Sequence, residues 1–247
     1  MFGTSEQTIE RLYPVRSGAA VRDRRSPARR PVPARRPVRQ AGPALKPWAW
    51  SIKRFEDVLL ASLLLPFFLL AMAVIAVLIR LDTPGPVLFR QRRIGFAGRE
   101  FEVLKFRTMH AHCAEPVAPR QVTRSDPRVT RIGTWLRRLS LDELPQIINV
   151  LRGEMSLVGP RPHAPGTCAG GRPFEQVVTY YPARHRVPPG ITGLAQVRGW
   201  RGETETEEKL IHRVQSDLEY IESWSLWLDL KILAQTLFAL ASAHNAY

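Results

Sequence analysis

Residues 58–79 read VLLASLLLPFFLLAMAVIAVLI, 22 positions from Val58 to Ile79 without a charge. At about 1.5 Å per residue a straight helix of that length is roughly 33 Å long, enough to cross the hydrocarbon core of a bilayer. A buried core helix is the alternative, but the length of the run and its apolarity on every face favour a membrane segment. Lys53 and Arg54 precede the run; Arg80, Arg90, Arg92 and Arg93 follow it. Both flanks therefore look cytoplasmic, and the positive-inside rule selects no direction of crossing. Pro66 lies inside the run, where it removes a helix hydrogen bond and favours a bend. A re-entrant helix that enters and leaves by the same face reconciles these observations, and we assign residues 51–82 to it.

Upstream, residues 1–50 carry 11 basic and 3 acidic side chains, a net +8 of the chain's +14. Seven prolines from Pro14 to Pro47 stand among the arginines, and no period of 2 or 3.6 runs through them. This reads as a disordered basic arm. Attraction to anionic lipid, about 1 kcal/mol per basic residue near the surface, is the favoured role, with a plain solvated tail next. Nucleic acid comes last, because the arginine-rich stretch holds no aromatic side chain on which bases could stack. Two cysteines, Cys113 and Cys168, exclude a disulfide-stapled scaffold and a four-cysteine zinc site, and suit a cytosol-facing protein. With 45 % hydrophobic residues in 247, the chain has the apolar material for one ordinary domain.

Downstream, residues 83–247 read as a small mixed α+β domain. Pro86–Ile94 and Glu100–Arg107 are strand-like and separated by Gly95-Phe96-Ala97-Gly98, the pattern of a hairpin. In Leu144–Arg152 the apolar residues Leu144, Ile147, Ile148 and Leu151 recur at helical spacing, and Gly153 stops the helix. Glu207–Glu222 repeats the pattern with Leu210, Ile211, Val214, Leu218 and Ile221. The last helix, Trp224–Ala243, is apolar but carries Asp229 and Lys231, which suits a membrane interface better than a crossing.

The chemistry-bearing stretch is Ser140-Leu141-Asp142-Glu143-Leu144-Pro145-Gln146. One reading is a capping box, Ser140 with Glu143. The other makes Asp142 the N-cap, which keeps Pro145 within the first turn and leaves two carboxylates at a helix mouth. Two carboxylates about 4 Å apart repel by roughly 4 kcal/mol at an effective dielectric of 20. A cation is therefore needed, either Arg137 and Arg138 or a divalent metal with oxygen ligands. Such a pair suits attack on phosphorus, one group as nucleophile and one as metal ligand; sequence neighbours rarely reach the spacing that glycoside hydrolysis needs. Phosphate-binding groups are available in Lys105-Phe106-Arg107 and in Gly159-Pro160-Arg161-Pro162, whose prolines stiffen the backbone around one guanidinium. The run Arg184-His185-Arg186 reads as a solvated face. His110, His112 and Cys113 lack a second ligand pair and read as surface residues.

Taken in order, Lys53-Arg54-Phe55-Glu56-Asp57, Gly85–Gln91, Lys105–Met109, Ser140–Gln146, Asn149–Pro162, Pro189–Gly193 and Ser225–Ile232 resemble the bacterial sugar transferases, specifically their small exopolysaccharide-type members. The likeness runs from about Lys53 to about Leu240. The resemblance implies a monotopic enzyme of the bacterial inner membrane, its catalytic domain on the cytoplasmic face. It would transfer a sugar 1-phosphate from a nucleoside diphosphate sugar to a polyprenyl phosphate. It further implies Asp142 as the nucleophile, Glu143 as the ligand of Mg²⁺, Pro160, Arg161 and Pro162 around the nucleotide, and phosphate contacts from Lys105 and Arg137; we count Arg107 with them as substrate-binding. Membrane lipid is an expected partner, nucleic acid is not, and a homo-oligomer is left open. A non-catalytic basic membrane adaptor is the competing reading.

Overall fold

The computed structural model describes residues 44–111, 126–202, 204 and 206–241; most of the basic arm, His112 and Cys113 lie outside them. Helix α1 (Pro47–Asp82) runs for 36 residues and takes in the last four positions assigned to the arm. Pro47 suits its first turn, where the missing N–H has no partner to lose. Ala49, Lys53, Asp57 and Ala61 form one buried stripe at intervals of four, and Ile75 and Ile79 are buried further along. The first group meets the main core, while Ile75 and Ile79 pack with Phe106 and Leu136 in a second cluster. Leu63, Phe67, Leu70, Val74 and Val77 stay exposed. Both ends of this apolar helix therefore dock on the same globular body.

Three polar ties fasten the near end. Lys53 donates to Asp229 at 2.7 Å, and Asp229 also accepts from Tyr220 and Trp224. Asp57 accepts from the Ser156 hydroxyl and the Leu157 amide, both at 2.9 Å. Arg54 donates to the carbonyls of Val150 and Leu151, two of the orphan acceptors at a helix end.

Strands β1 (Leu88–Ile94) and β2 (Glu100–Phe106) form the expected antiparallel hairpin, with Phe89 opposite Lys105, Gln91 opposite Val103 and Arg93 opposite Phe101. Helix α2 (Arg131–Leu139) is capped by Thr130, whose side chain accepts from the Gly133 amide. A Cβ on Gly133 would lie 2.1 Å from the Thr108 carbonyl oxygen, so only glycine lets α2 run against the strand exit.

Neither register expected for Ser140–Gln146 is adopted. Ser140 closes α2 in the left-handed conformation, φ 60°, its amide donating back to Leu136 and Arg137. Leu141–Glu143 then make one 3-10 turn, and helix α3 (Gln146–Arg152) begins after Pro145. The chain must first turn out of α2, and a proline with no N–H suits the position just ahead of a helix. Gly153, φ 83°, ends α3 as expected.

Strand β3 (Ser156–Val158) is followed by the short hairpin β4 (Cys168–Ala169) and β5 (Arg172–Pro173), helix α4 (Phe174–Val177) and a 3-10 segment at Tyr181–Arg186. Strand β6 (Gly190–Thr192) then pairs in parallel with β3. Where they cross, a Cβ on Gly190 would stand 2.1 Å from the Gly159 nitrogen, and one on Gly159 would stand 2.5 Å from the Pro188 carbonyl oxygen. Gly159 donates to Thr192 and Gly190 donates to Pro160, so backbone hydrogen bonds tie the start of the Pro160–Pro162 segment to the β3–β6 pair.

Helices α5 (Leu194–Val197), α6 (Glu207–Glu222) and α7 (Leu226–Ala241) close the domain. Helix α6 buries Leu210, Val214, Leu218 and Ile221, the face its spacing predicts, against Tyr181, Val158 and Ile232. Helix α7 buries Asp229 and Ile232 but exposes Trp227, Leu230, Leu237 and Phe238. The mixed helix-and-sheet class expected from sequence is what the chain adopts, with one helix among the described residues long and apolar enough to cross a membrane.

Candidate active site

Asp142 and Glu143 are both 8 % exposed, held in the 3-10 turn between α2 and α3. Lys105, near the end of β2, donates to Glu143 at 2.8 Å and lies 4.0 Å from Asp142. Arg161 forks onto both oxygens of Glu143, with one contact of 3.0 Å from Nη1 to Oε2. The hairpin, the Pro160–Pro162 segment and the 3-10 turn thus converge on one carboxylate pair.

The two carboxylates sit in different fields. Burial pushes Asp142 up, Lys105 offsets part of that and Glu143 adds to it. Burial acts upward on Glu143 as well, but Arg161 and Lys105 override it and hold Glu143 well below the usual carboxylate range. Burial lowers Lys105, while Glu143 chiefly raises Arg161. Glu143 is thereby held as the anion and Asp142 is the more basic carboxylate of the pair. Such a split is how neighbouring acids take different roles.

The other expected residues divide. Pro160, Arg161 and Pro162 line a cleft with Ile94, Gly95 and His185. Arg137 donates to the Thr108 hydroxyl at 2.8 Å and acts on Asp142 through its charge. Arg107 points elsewhere: it is 3 % exposed and donates to the carbonyls of Thr83 and Pro84, fastening the exit of α1. His110 is half-buried rather than on the open surface.

Three features escaped the sequence reading. Arg184 is no solvated charge: it is 3 % exposed, pairs with Asp217 at 2.6 Å, donates to Tyr181 and holds the Arg161 carbonyl at 2.8 Å. Its carboxylate partner lies far along the chain on α6, so no local pattern announces it. Asn149, fully buried, accepts from the Leu104 amide and donates to the Glu102 carbonyl and to Glu154, locking β2 to α3. Arg93, noted in sequence only as a basic flank, reaches the Pro162 carbonyl at 3.3 Å.

Among the described residues no group of three or more His, Cys, Asp or Glu is placed to hold a metal ion. Two adjacent carboxylates with only oxygen donors nonetheless suit Mg²⁺, which keeps several waters and takes one or two carboxylates together with substrate phosphates. The residues present fit that ion.

The chain belongs to the bacterial sugar transferase family, whose pattern matches residues 48–243. It is 53 % identical over 203 residues to the undecaprenyl-phosphate glucose phosphotransferase of Komagataeibacter xylinus, covering 82 % of this chain and 38 % of that one. Over 195 residues it is 50 % identical to the UDP-glucose:undecaprenyl-phosphate glucose-1-phosphate transferase of Caulobacter vibrioides, 79 % of this chain and 72 % of that one. Similarity to the exopolysaccharide production protein PSS of Rhizobium leguminosarum is 47 % over 189 residues, 75 % of this chain and 93 % of the relative. The chain spans about two fifths of the Komagataeibacter protein, and most of the shorter Rhizobium one.

Proposed function

We propose that this protein transfers a sugar 1-phosphate from a UDP-hexose to undecaprenyl phosphate, as the first step in building a lipid-linked glycan. UDP-glucose is the favoured donor, because the relatives near 50 % identity are named for it. The observation that carries the reading is the split carboxylate pair, Glu143 clamped by Arg161 and Lys105 beside a more basic Asp142.

Arg161 and Lys105 serve Glu143 in the free chain, and Lys105 also lies 4.0 Å from Asp142. When a diphosphate enters, its oxygens compete for them, which releases Glu143. Mg²⁺ held by Glu143 would neutralise charge on the diphosphate. The Asp142 carboxylate attacks the β-phosphorus; the bond to the bridging oxygen breaks and UMP departs. A phosphate oxygen of undecaprenyl phosphate then attacks the same phosphorus, forming the lipid diphosphate sugar and freeing Asp142. Arg137 and Lys105 keep Asp142 anionic enough to act.

The acceptor is a lipid, and the geometry of α1 supports a re-entrant placement on the cytoplasmic face of the inner membrane. Ala61 and Ile75, both buried against the globular body, are 14 positions apart, about 21 Å of helix. That is short of the roughly 30 Å core of a bilayer, so a straight crossing would place at least one of the two docking sites inside the hydrocarbon, where the globular body could not follow. Trp227, Leu237 and Phe238 on α7 supply further interfacial anchors.

The test is UMP release by the full chain in nanodiscs supplied with undecaprenyl phosphate, Mg²⁺ and UDP-sugars. A UDP-sugar labelled in its β-phosphate should also label the protein when the lipid is withheld, and the label should vanish in Asp142→Asn. UMP release without any lipid-linked product would overturn the reading.

A further inference from the structure

Glu143 accounts for Arg161 and Lys105, yet a third cation stands beside them without a carboxylate of its own. Side chains at alternate positions of a strand share one face, so Phe89, Gln91 and Arg93 lie with their opposite numbers Lys105, Val103 and Phe101 on the same side of the β1–β2 hairpin. Arg93 is thus on the face that presents Lys105 to Glu143. Among the described residues its guanidinium meets only neutral acceptors: Nε and Nη2 donate to the Gln91 side-chain oxygen at 3.1 and 2.5 Å, and Nη1 donates to the Pro162 carbonyl at 3.3 Å. Of five guanidinium N–H groups these use three, leaving one on each Nη without a partner among the described residues.

We infer that Arg93 is a further donor-binding residue, its two remaining N–H groups taking phosphate oxygens of the nucleoside diphosphate alongside Arg161 and Lys105. The inference rests on the donor proposed above. Gln91 grips one edge of the guanidinium and Pro162 fixes the other, so the fork is held ready beside the Pro160–Pro162 cleft, and a planar fork matches a phosphate. The electrostatics agree. Desolvation lowers Arg93 to about 10, repulsion from Arg161 adds to this, and Glu143 only partly offsets it. Lys105, Arg93, Arg137 and Arg161 outnumber the two carboxylates and leave an excess of positive charge in a desolvated site, which a diphosphate cancels.

The test compares binding of UDP and of uridine to the full chain in nanodiscs, by calorimetry for UDP and saturation-transfer NMR for uridine. Arg93→Gln should weaken UDP about tenfold or more and leave uridine unchanged. Gln91→Glu, which keeps the clamp but gives Arg93 an intramolecular carboxylate, should weaken UDP several-fold and also leave uridine unchanged. UDP affinity unaltered in either variant overturns the inference. Loss of UDP and uridine together also overturns it, because it shows that Arg93 only braces Pro162. Wild-type protein that binds neither compound overturns the donor reading and this inference with it.

Discussion

Lys53 on α1 and Asp229 on α7 form an ion pair of 2.7 Å with side chains only 3 % and 2 % exposed. The pair joins the apolar helix to the last helix of the domain, and Tyr220 and Trp224 complete the carboxylate's hydrogen bonds. Removing one partner leaves the other buried and unpaired. Lys53→Met or Asp229→Asn should each cost about 3–5 kcal/mol of stability. The double variant Lys53→Met/Asp229→Asn should lose less than the sum of the two. Thermal unfolding of the four proteins in detergent closes the cycle, and strict additivity would show that the pair has no mutual energy.

At the reaction centre, Asp142→Asn should abolish UMP release while UDP still binds. Glu143→Gln should behave differently. Because Glu143 competes with a diphosphate for Arg161 and Lys105, the neutral variant should bind UDP several-fold more tightly in EDTA, and turn over at least a hundred-fold more slowly with Mg²⁺. Calorimetry and steady-state kinetics separate the two effects. Weaker UDP binding in Glu143→Gln would contradict the competition.

The placement of α1 predicts the sidedness of its ends. With Cys113 and Cys168 replaced by serine, single cysteines introduced at Lys46 and at Pro86 should both be shielded from a membrane-impermeant maleimide in intact spheroplasts. Both should label after lysis. Labelling of one site alone before lysis would require a crossing helix.

Acid should weaken the domain through two histidines. His163 and His185 stack at 5.6 Å beside Tyr181 and Arg184, with the Glu175 carboxylate 3.7 Å from His163. Burial first, then Arg184, pushes His185 down to about 3, and burial lowers His163 as well despite Glu175. His185 therefore stays neutral when folded and His163 takes its proton less readily than in the unfolded chain, which protonates both near pH 6.5. Above that pH they contribute no pH dependence. Below it the unfolded state binds protons that the native state refuses, and stability falls by up to about 1.4 kcal/mol per pH unit for each histidine. Melting temperatures between pH 7.5 and 5.5 should drop, and the slope should flatten in His185→Gln. An unchanged slope would remove His185 from the account.

Much of this architecture was legible in the chain because it obeys local periodicity. The β1–β2 hairpin and α6 follow directly from alternation and from Leu210, Val214, Leu218 and Ile221 at helical spacing. Asp142, Glu143 and Arg161 stood out as unusual chemistry in stiff settings, and they do meet. The start of α3 was misread because a capping box and a left-handed turn use the same serine; Ser140 is settled by how α2 must end, which no window around Pro145 contains. Arg107 and Arg184 were misjudged for a related reason. An arginine's destination depends on carbonyls or a carboxylate brought in by tertiary packing, as with Thr83 for the first and Asp217 for the second.

The crossing of Gly159 and Gly190 carries a lesson for engineering. With no room for a methyl group on either residue, the Pro160–Pro162 segment inherits its position from the sheet and resists redesign. Variation has freer rein in the β4–β5 hairpin region, where Cys168 is exposed, although Gly166 and Gly171, at φ 74° and 76°, stay glycine for conformational reasons despite the open space around them. Libraries therefore belong at the exposed non-glycine positions of that stretch, while the glycine crossing is best left untouched as the fixed part of the scaffold.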